Sequence, residues 1–194
     1  MSGKLFVISA PSGAGKTTLV RHSIERLQEF HSISRVVTYT TKVPREGEAA
    51  EGVDYHFLSQ ADFEKKIGEK FFIEWSSAYG HYYGSPISIA GRLAEGHSCI
   101  LILDRAGAAR VKEQMPEAVL IWIYTSSLEV LKHRILKRGG ESPEQVERRL
   151  EIAMLEIEQE AIRPSYNFHV LNEDFYESLE KLCEIFKLFL KKSL

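Results

Sequence analysis

Lys16 and Thr17 follow a turn of small residues whose spacing is suited to phosphate binding. The segment Leu5 to Leu19 reads LFVISAPSGAGKTTL, and its second half matches the G-x-x-x-x-G-K-[ST] phosphate loop. Gly13 and Gly15 let successive backbone N–H groups turn inward, and a helix that begins at Lys16 adds the positive end of its dipole. Lys16 supplies charge to the outer phosphates, and Thr17 supplies a hydroxyl ligand for Mg²⁺. These residues predict nucleoside triphosphate binding.

The predicted triphosphate site departs from the strict motif at Ala10, where the first glycine is usual. This position shapes the entry to the turn, so alanine is a tolerable change. A chance glycine-rich turn is the alternative, but the preceding apolar strand and the following amphipathic helix disfavour it. The predicted contacts to ATP from this segment are Ala10, Pro11, Ser12, Gly13, Ala14, Gly15, Lys16, Thr17 and Thr18.

Composition indicates one ordinary globular domain. The chain has 194 residues, 44% of them hydrophobic and 27% charged, which is long enough for a sizeable core. The net charge of −2 argues against a general nucleic-acid binder. No apolar run approaches membrane-spanning length and no signal-peptide pattern is present, so we expect a cytoplasmic protein without a membrane partner. Cys99 and Cys183 form no C-x-x-C pair, and we expect both to be reduced core residues.

Apolar strands alternate with amphipathic helices along the chain. SCILILD (98–104) and AVLIWIY (118–124) are nearly continuous apolar runs, as in parallel strands covered on both faces by helices. This alternation predicts a three-layer α/β fold with a mostly parallel sheet. Further strands are predicted at 34–41, 71–77, 81–85 and 168–172, and helices at 18–30, 60–67, 86–95, 126–139, 142–163 and from 174 onward.

Cap residues set the predicted starts of several helices. Ser85-Pro86 is expected to open the third helix, and Ser126 with Glu129 to form a capping box for the next. Ser142-Pro143 has the same chemistry. The segment from about 34 to 84 differs from the rest, because it holds several short strands rich in Tyr, Arg and Glu. It is interpreted as an insertion that binds something other than the triphosphate.

A phosphate loop alone is compatible with a GTPase, an ATPase or a small-molecule kinase. Asp104 to Gly107 matches the D-x-x-G pattern of GTPases, but no N-K-x-D guanine-reading motif occurs. A second set of anion-binding groups favours a kinase, because transfer between two nucleotides must bring two anionic substrates together. These groups are Lys42, Arg45, Tyr55, Tyr83, Arg134, Arg138, Arg148 and Arg149.

Six segments give the chain a family resemblance. TYTTKVPREGE, GVDYHF, FIEW, GHYYGS, RILKRGGES and HVLNED together resemble the guanylate kinase family, in order and spacing, from Lys4 to about Leu182. The resemblance implies a P-loop nucleoside monophosphate kinase fold and Mg²⁺-dependent transfer of the ATP γ-phosphoryl group to GMP, and to dGMP, giving ADP and GDP. It implies a monomer or homodimer of one domain, with a core at about 1–33, 93–125 and 165–194, a GMP-binding insertion at 34–92 and a lid at 126–164.

The resemblance also implies roles for residues of the insertion. Glu74 accepts hydrogen bonds from guanine N1–H and the exocyclic amine, which adenine does not present together. Ser85 donates to guanine O6, and Thr38 lies near the base. The resemblance further implies that the GMP phosphate is held by Arg45, Tyr55 and Tyr83, with Lys42 beside them. It implies that Asp104 orients magnesium-bound water or the GMP nucleotide.

The resemblance assigns the lid to three arginines. Arg134 and Arg138 are one helical turn apart, and with Arg149 they close over the phosphates during transfer. Asn172 lies close to the adenine of ATP. The implied catalytic set is Lys16, Arg45, Asp104, Arg134, Arg138 and Arg149.

Two positions depart from the family pattern. Lys42 stands where arginine is common, and lysine cannot make the forked contact with phosphate. Ile102 stands where the first of two acids is usual, which leaves Asp104 as the acid of that strand. We expect slower turnover or weaker GMP or metal binding than is usual for the family.

Three other hypotheses are compatible with parts of the sequence. A catalytically dead phosphopeptide-binding module of this family tends to have lost the phosphate loop, which is intact here. A kinase acting on another phosphorylated molecule, such as a ribosyl bisphosphate, is expected to lack the guanine-reading pair. A GTPase is expected to carry its base-reading motif.

Overall fold

The computed structural model describes residues 2–44, 52, 55–78, 80–138 and 142–190. Its strands are β1 (Leu5–Ser9), β2 (Ile33–Arg35), β3 (Thr38–Thr40), β4 (Tyr55–Phe57), β5 (Phe72–Ala78), β6 (His81–Pro86), β7 (Ser98–Ile102), β8 (Val119–Tyr124) and β9 (Phe168–Leu171). Its helices are α1 (Lys16–Leu27), α2 (Gln60–Gly68), α3 (Ile89–Ala94), α4 (Arg105–Gln114), α5 (Leu128–Arg138), α6 (Pro143–Ile162) and α7 (Phe175–Phe189).

The strands form two separate sheets within these ranges. The first is five-stranded with the order β2-β7-β1-β8-β9, and each neighbouring pair is parallel. The second is four-stranded and mixed, with the order β4-β3-β6-β5. The predicted α/β class with a mostly parallel sheet is confirmed.

Side chains of β1 alternate between two apolar cores. Phe6 and Ile8 face a core that includes residues of α1 and α7. Leu5 and Val7 face a second core that includes residues of α3 and α4. Because both faces of the sheet are covered, its central strands β1, β7 and β8 are nearly continuous apolar runs, and the three layers follow. Cys183 lies in the first core and Cys99 in the second, and both are free thiols.

The predicted strand at 34–41 is wrong, because the chain forms two strands there. β2 pairs with β7 of the parallel sheet, whereas β3 pairs with β4 and β6 of the second sheet. Val36, between them, is buried in the core of the first sheet, and its N–H donates to Ile100 O at 2.9 Å. Alternation of apolar residues indicates a strand but cannot tell which sheet it joins.

Two predicted helix starts are also wrong. Ser85 and Pro86 end β6, where they pair with Glu74 and Phe72, and α3 begins only at Ile89. Proline is tolerated at the end of a strand as well as at the start of a helix, so the dipeptide did not distinguish them.

The second wrong start is at α5, which begins one residue later than Ser126 predicts. The Ser127 hydroxyl accepts from the Val130 N–H at 3.3 Å. By contrast, the predicted capping box of Ser142 with Gln145 at the start of α6 is confirmed.

Sequence reasoning missed two elements that border the site. The sequence predicts neither β4 nor α4. The signal for α4 was Asp104, which caps it by accepting from the Gly107 N–H at 2.6 Å. Within the described ranges, none of the helices is both long and apolar enough to cross a bilayer.

Candidate functional site

The turn between β1 and α1 has the conformation that the phosphate-loop motif predicts. Gly13 and Gly15 have φ angles of 88° and 86°, which glycine adopts without the strain that a side chain brings. The Ala14 N–H donates to Pro11 O at 3.1 Å, and α1 begins at Lys16 directly after the left-handed Gly15. The first turn of α1 contains no acidic residue among the residues described. The positive end of this helix is therefore not offset by an acidic side chain of its own first turn.

Asn172 braces this turn from the end of β9. Its Nδ2 donates to Ala14 O at 2.7 Å, and its N–H donates to Tyr124 O at 2.7 Å. A Cβ on Gly15 would lie 2.6 Å from this Nδ2. The loop can therefore pack this closely against Asn172 only because residue 15 has no side chain. The side chain is buried and supports the loop backbone, a role the sequence did not suggest. Its predicted place near adenine remains a prediction.

Arginines from α5 and α6 reach the same turn. Arg134 Nη2 donates to Asn172 O at 3.1 Å, and its Nη1 lies 3.8 Å from the Cβ position of Gly15. Arg149 Nη1 donates to Ser12 Oγ at 3.3 Å. Two of the three predicted lid arginines thus lie at the phosphate loop. Arg138 ends α5, and its side chain is outside the described part of the structure.

A buried carboxylate and hydroxyl pair lies in the second sheet. Glu74 on β5 and Ser85 on β6 are register partners, and Ser85 Oγ donates to Glu74 Oε1 at 2.5 Å. Burial is the main reason that the pKa of Glu74 is raised to about 7; Asp104 raises it further, while Ser85 and Arg110 oppose the shift. Thr38 on β3 is also buried. The predicted base-reading residues therefore lie in one sheet, and the carboxylate is positioned by Ser85.

Asp104 connects this second sheet to the end of β7. Its Oδ2 accepts from Ser76 Oγ at 2.8 Å, while its Oδ1 caps α4. A Cβ on Gly107 would lie 3.0 Å from Glu74 Oε2, so α4 approaches Glu74 closely because residue 107 has no side chain. Ser76 was not predicted; alternation along β5 places it on the face of Glu74, which was the available signal.

A group of cations and phenols lies at the other end of this sheet. The rings of Tyr55 and Tyr83 are 6.0 Å apart, and Lys42 Nζ lies 5.6 Å from the centre of the Tyr55 ring. Arg35 Cζ lies 6.0 Å from the same centre, although sequence reasoning did not select Arg35. Arg35 is an isolated arginine on a short strand, and no motif in the sequence indicates that it belongs to the site. Arg45 lies outside the described residues, so its predicted role stays a prediction.

Comparison with known proteins agrees with this geometry. A family model described as guanylate kinase matches residues 2–188. The chain is 44% identical over 185 residues to a guanylate kinase of Neisseria meningitidis serogroup A, covering 94% of this chain and 86% of the relative. It is 40% identical over 184 residues to a guanylate kinase of Caldanaerobacter subterraneus subsp. tengcongensis, with the same coverage of each chain, 94% and 86%.

A solved structure agrees with the family match. The crystal structure of guanylate kinase from Anaplasma phagocytophilum superposes with a TM-score of 0.77 at 26% identity, covering 96% of this chain and 86% of that one. The fold is that of the P-loop nucleoside monophosphate kinases. The chain belongs to the guanylate kinase family.

Proposed function

We propose that the protein transfers the γ-phosphoryl group of ATP to GMP, and to dGMP, giving ADP and GDP. The observation that carries this proposal is that the protein has both a phosphate loop and, in its second sheet, a buried Glu74–Ser85 pair. Asp104 is hydrogen-bonded to that sheet through Ser76 and stands at the end of the strand next to β1. One substrate therefore has a site at the loop and the other at the second sheet.

The donor site is formed by the turn after β1. Its backbone N–H groups and the start of α1 would hold the phosphates of ATP, with Lys16 at the outer ones. Arg149 contacts Ser12 of the loop, and Arg134 contacts Asn172, which supports the loop. Little movement would therefore bring the two guanidinium groups to the transferred phosphoryl group. Arg138 is proposed to join them.

The residues present fit a Mg²⁺ ion that is held mainly by the nucleotide. Among the described residues there is no cluster of three His, Cys, Asp or Glu side chains that could hold a metal. Mg²⁺ commonly keeps several waters and uses few protein ligands together with substrate phosphates. Thr17 would supply the protein hydroxyl. When bound, the ion would neutralise charge on the outer phosphates.

The acceptor site is formed by the second sheet. Ionised Glu74 would accept the guanine N1–H and amino donors, while Ser85 would donate to O6 and Thr38 would border the base. Lys42, Arg45, Tyr55 and Tyr83 would bind the phosphate. Lys42 provides a point charge and not the forked donors of a guanidinium group. Arg35, which lies beside Tyr55, would add a guanidinium charge to this site.

The proposed reaction is an in-line displacement at the γ-phosphorus. A GMP phosphate oxygen forms the new bond to that phosphorus as the bond to the ADP oxygen breaks. The attacking oxygen is already anionic, so no strong general base is required, and catalysis depends on positioning and charge. Lys16 and the arginines stabilise the charge, and closure of segments 34–92 and 126–164 would exclude water that could otherwise attack ATP.

A coupled assay of ADP release tests this proposal. GMP, dGMP, AMP, UMP and CMP are supplied in turn as acceptors, and a reaction without acceptor serves as the blank. We expect strong preference for GMP, with dGMP second. Equal rates with AMP or without acceptor would refute the proposal; no turnover together with phosphopeptide binding would indicate a non-catalytic module.

A further inference from the structure

Glu156 lies on the face of α6 that is turned toward the phosphate loop. The helix contacts the rest of the protein on this face at two points. Arg149 Nη1 donates to Ser12 Oγ at 3.3 Å, and Glu160 Oε2 accepts from Arg105 Nη1 at 2.5 Å. Ala153, between them, is fully buried. Positions 149, 153, 156 and 160 recur at helical spacing and share one face.

The Glu160 end of this face is held firmly. Glu160 is 3% exposed and accepts from Ser165 N and Oγ, Tyr166 N and His169 Nε2 at 2.9–3.3 Å. Arg105, its partner, lies over the rings of Trp122 and Tyr166 at 5.5 and 5.6 Å from their centres. Since α6 is fixed at this end, the backbone at Glu156, one turn earlier, has a defined position relative to the sheet.

Among the described residues, two of the three charged groups that interact with Glu156, Lys16 and Asp104, belong to the proposed reaction site. Lys16, Asp104 and Arg105 all interact with Glu156 electrostatically, and burial is the first reason that its pKa is raised to about 7. Asp104 raises the pKa further, while Lys16 and Arg105 lower it. A half-buried carboxylate acts on a neighbouring ammonium group more strongly than it would in water.

We propose that Glu156 is a positioning residue for phosphoryl transfer, which limits where the Lys16 ammonium group lies at the phosphate loop. A lysine has a flexible four-carbon stem, so a fixed anion limits where its charge lies. Asp104 is less suited to this task, because its two oxygens already accept from Gly107 and Ser76. This inference rests on the proposed function.

Glu156→Gln tests the inference, because it removes the charge and keeps the shape. Glu158→Gln is the matched control, since Glu158 is exposed on the same helix. With saturating ATP and GMP at pH 8, we expect kcat of the Glu156→Gln variant to fall about tenfold, with KM for GMP within twofold of wild type. Glu156→Asp, which keeps the charge, should recover a substantial part of kcat.

Two further measurements separate positioning from a structural role. Removal of a negative charge beside Lys16 should tighten binding of ADP without Mg²⁺, measured by calorimetry, although kcat falls. Tm at pH 8 should not fall, because burial of a carboxylate opposes folding. A Glu156→Gln variant that matches Glu158→Gln in both kcat and ADP affinity would overturn the inference. Absence of GMP-dependent ADP release in the wild type would instead overturn the proposed function, and the ADP affinities would still test Glu156.

Discussion

Ser85 Oγ donates a hydrogen bond of 2.5 Å to Glu74 Oε1 across two neighbouring antiparallel strands. Both side chains are buried. A buried carboxylate is costly unless hydrogen bonds satisfy it, and a guanine ring offers two N–H donors to such a group. In the proposed acceptor site, the Glu74–Ser85 pair is therefore formed before the base binds, and the carboxylate would gain two N–H partners from guanine.

The affinity for GMP should depend on the ionisation of Glu74. Burial raises the pKa of Glu74 from 4.5 to about 7. At pH 6 the Glu74 carboxyl is therefore protonated in most molecules of the free enzyme. Only the carboxylate can accept both guanine donors, so KM for GMP should fall as pH rises through about 7 and then level off. Steady-state kinetics at pH 6–9 measure this trend.

The control for this pH dependence is Glu74→Gln. The phosphate of GMP itself titrates near pH 6, as phosphate monoesters do, and the amide variant retains only that contribution. The variant should lose at least about 100-fold in kcat/KM for GMP, because its amide NH₂ opposes a guanine donor. A KM profile with the same pH dependence in both proteins would contradict the role of Glu74.

Loss of the Ser85 hydroxyl should weaken GMP binding. In Ser85→Ala the carboxylate of the free enzyme loses its hydrogen-bond donor, and bound GMP loses the hydroxyl that would turn from Glu74 to donate to O6. We expect KM for GMP to rise about tenfold, with KM for ATP unchanged. Ser77→Ala is the matched control, because Ser77 is exposed on β5, and equal KM values for the two variants would contradict this assignment.

Gly15→Ala should abolish triphosphate binding without unfolding the protein. Gly15 has a φ of 86°, and an added Cβ would lie 2.6 Å from Asn172 Nδ2. The phosphate loop and the Asn172 side chain would therefore have to move apart. Gly91→Ala is the control, since among the described residues no atom outside its neighbours and its own helix backbone lies within 4 Å of its Cβ position in α3. Calorimetric titration with ATP should show binding only to the control; normal ATP affinity in Gly15→Ala would show that this loop geometry is dispensable.

An acid at position 102 should increase activity. Ile102 ends β7 and packs against the core on the α1 side of the sheet, where a carboxylate would reach the phosphate side of the site. Ile102→Glu should raise kcat/KM for GMP severalfold and strengthen the response to Mg²⁺. Ile102→Gln, of the same shape without charge, should do neither, and no rise in Ile102→Glu would contradict the expectation.

The sequence predicted the parts of the fold that depend on local spacing. The phosphate loop, the capping box at Ser142 and the apolar strands β7 and β8 each follow from a few neighbouring residues. The division of 34–41 between two sheets did not, because it depends on which strands lie beside it in space. The start of α3 was missed for a similar reason, since Ser85 is occupied by its partner on β5.

The candidate site was predictable where residues lie in the phosphate-loop motif or in the segments that carry the family resemblance. Lys16, Glu74 and Ser85 stood in recognisable motifs, and the structure brings the last two together. Ser76, Arg35 and Glu156 were missed, because a serine on a strand or a charge on a helix is usually a solvated side chain. Their importance depends on contacts between segments distant in sequence, such as Ser76 with Asp104.

The γ-phosphoryl group of ATP is proposed to move to GMP, and transfer of a labelled phosphoryl group measures this reaction directly. The protein is incubated with ATP labelled in the γ-phosphate, Mg²⁺ and GMP, and the nucleotides are separated by chromatography. The proposed function predicts that label appears in GDP in a one-to-one ratio with ADP, and that Lys16→Ala retains less than about a tenth of this rate. Label in inorganic phosphate instead of GDP, or a rate in Lys16→Ala above that limit, would contradict it.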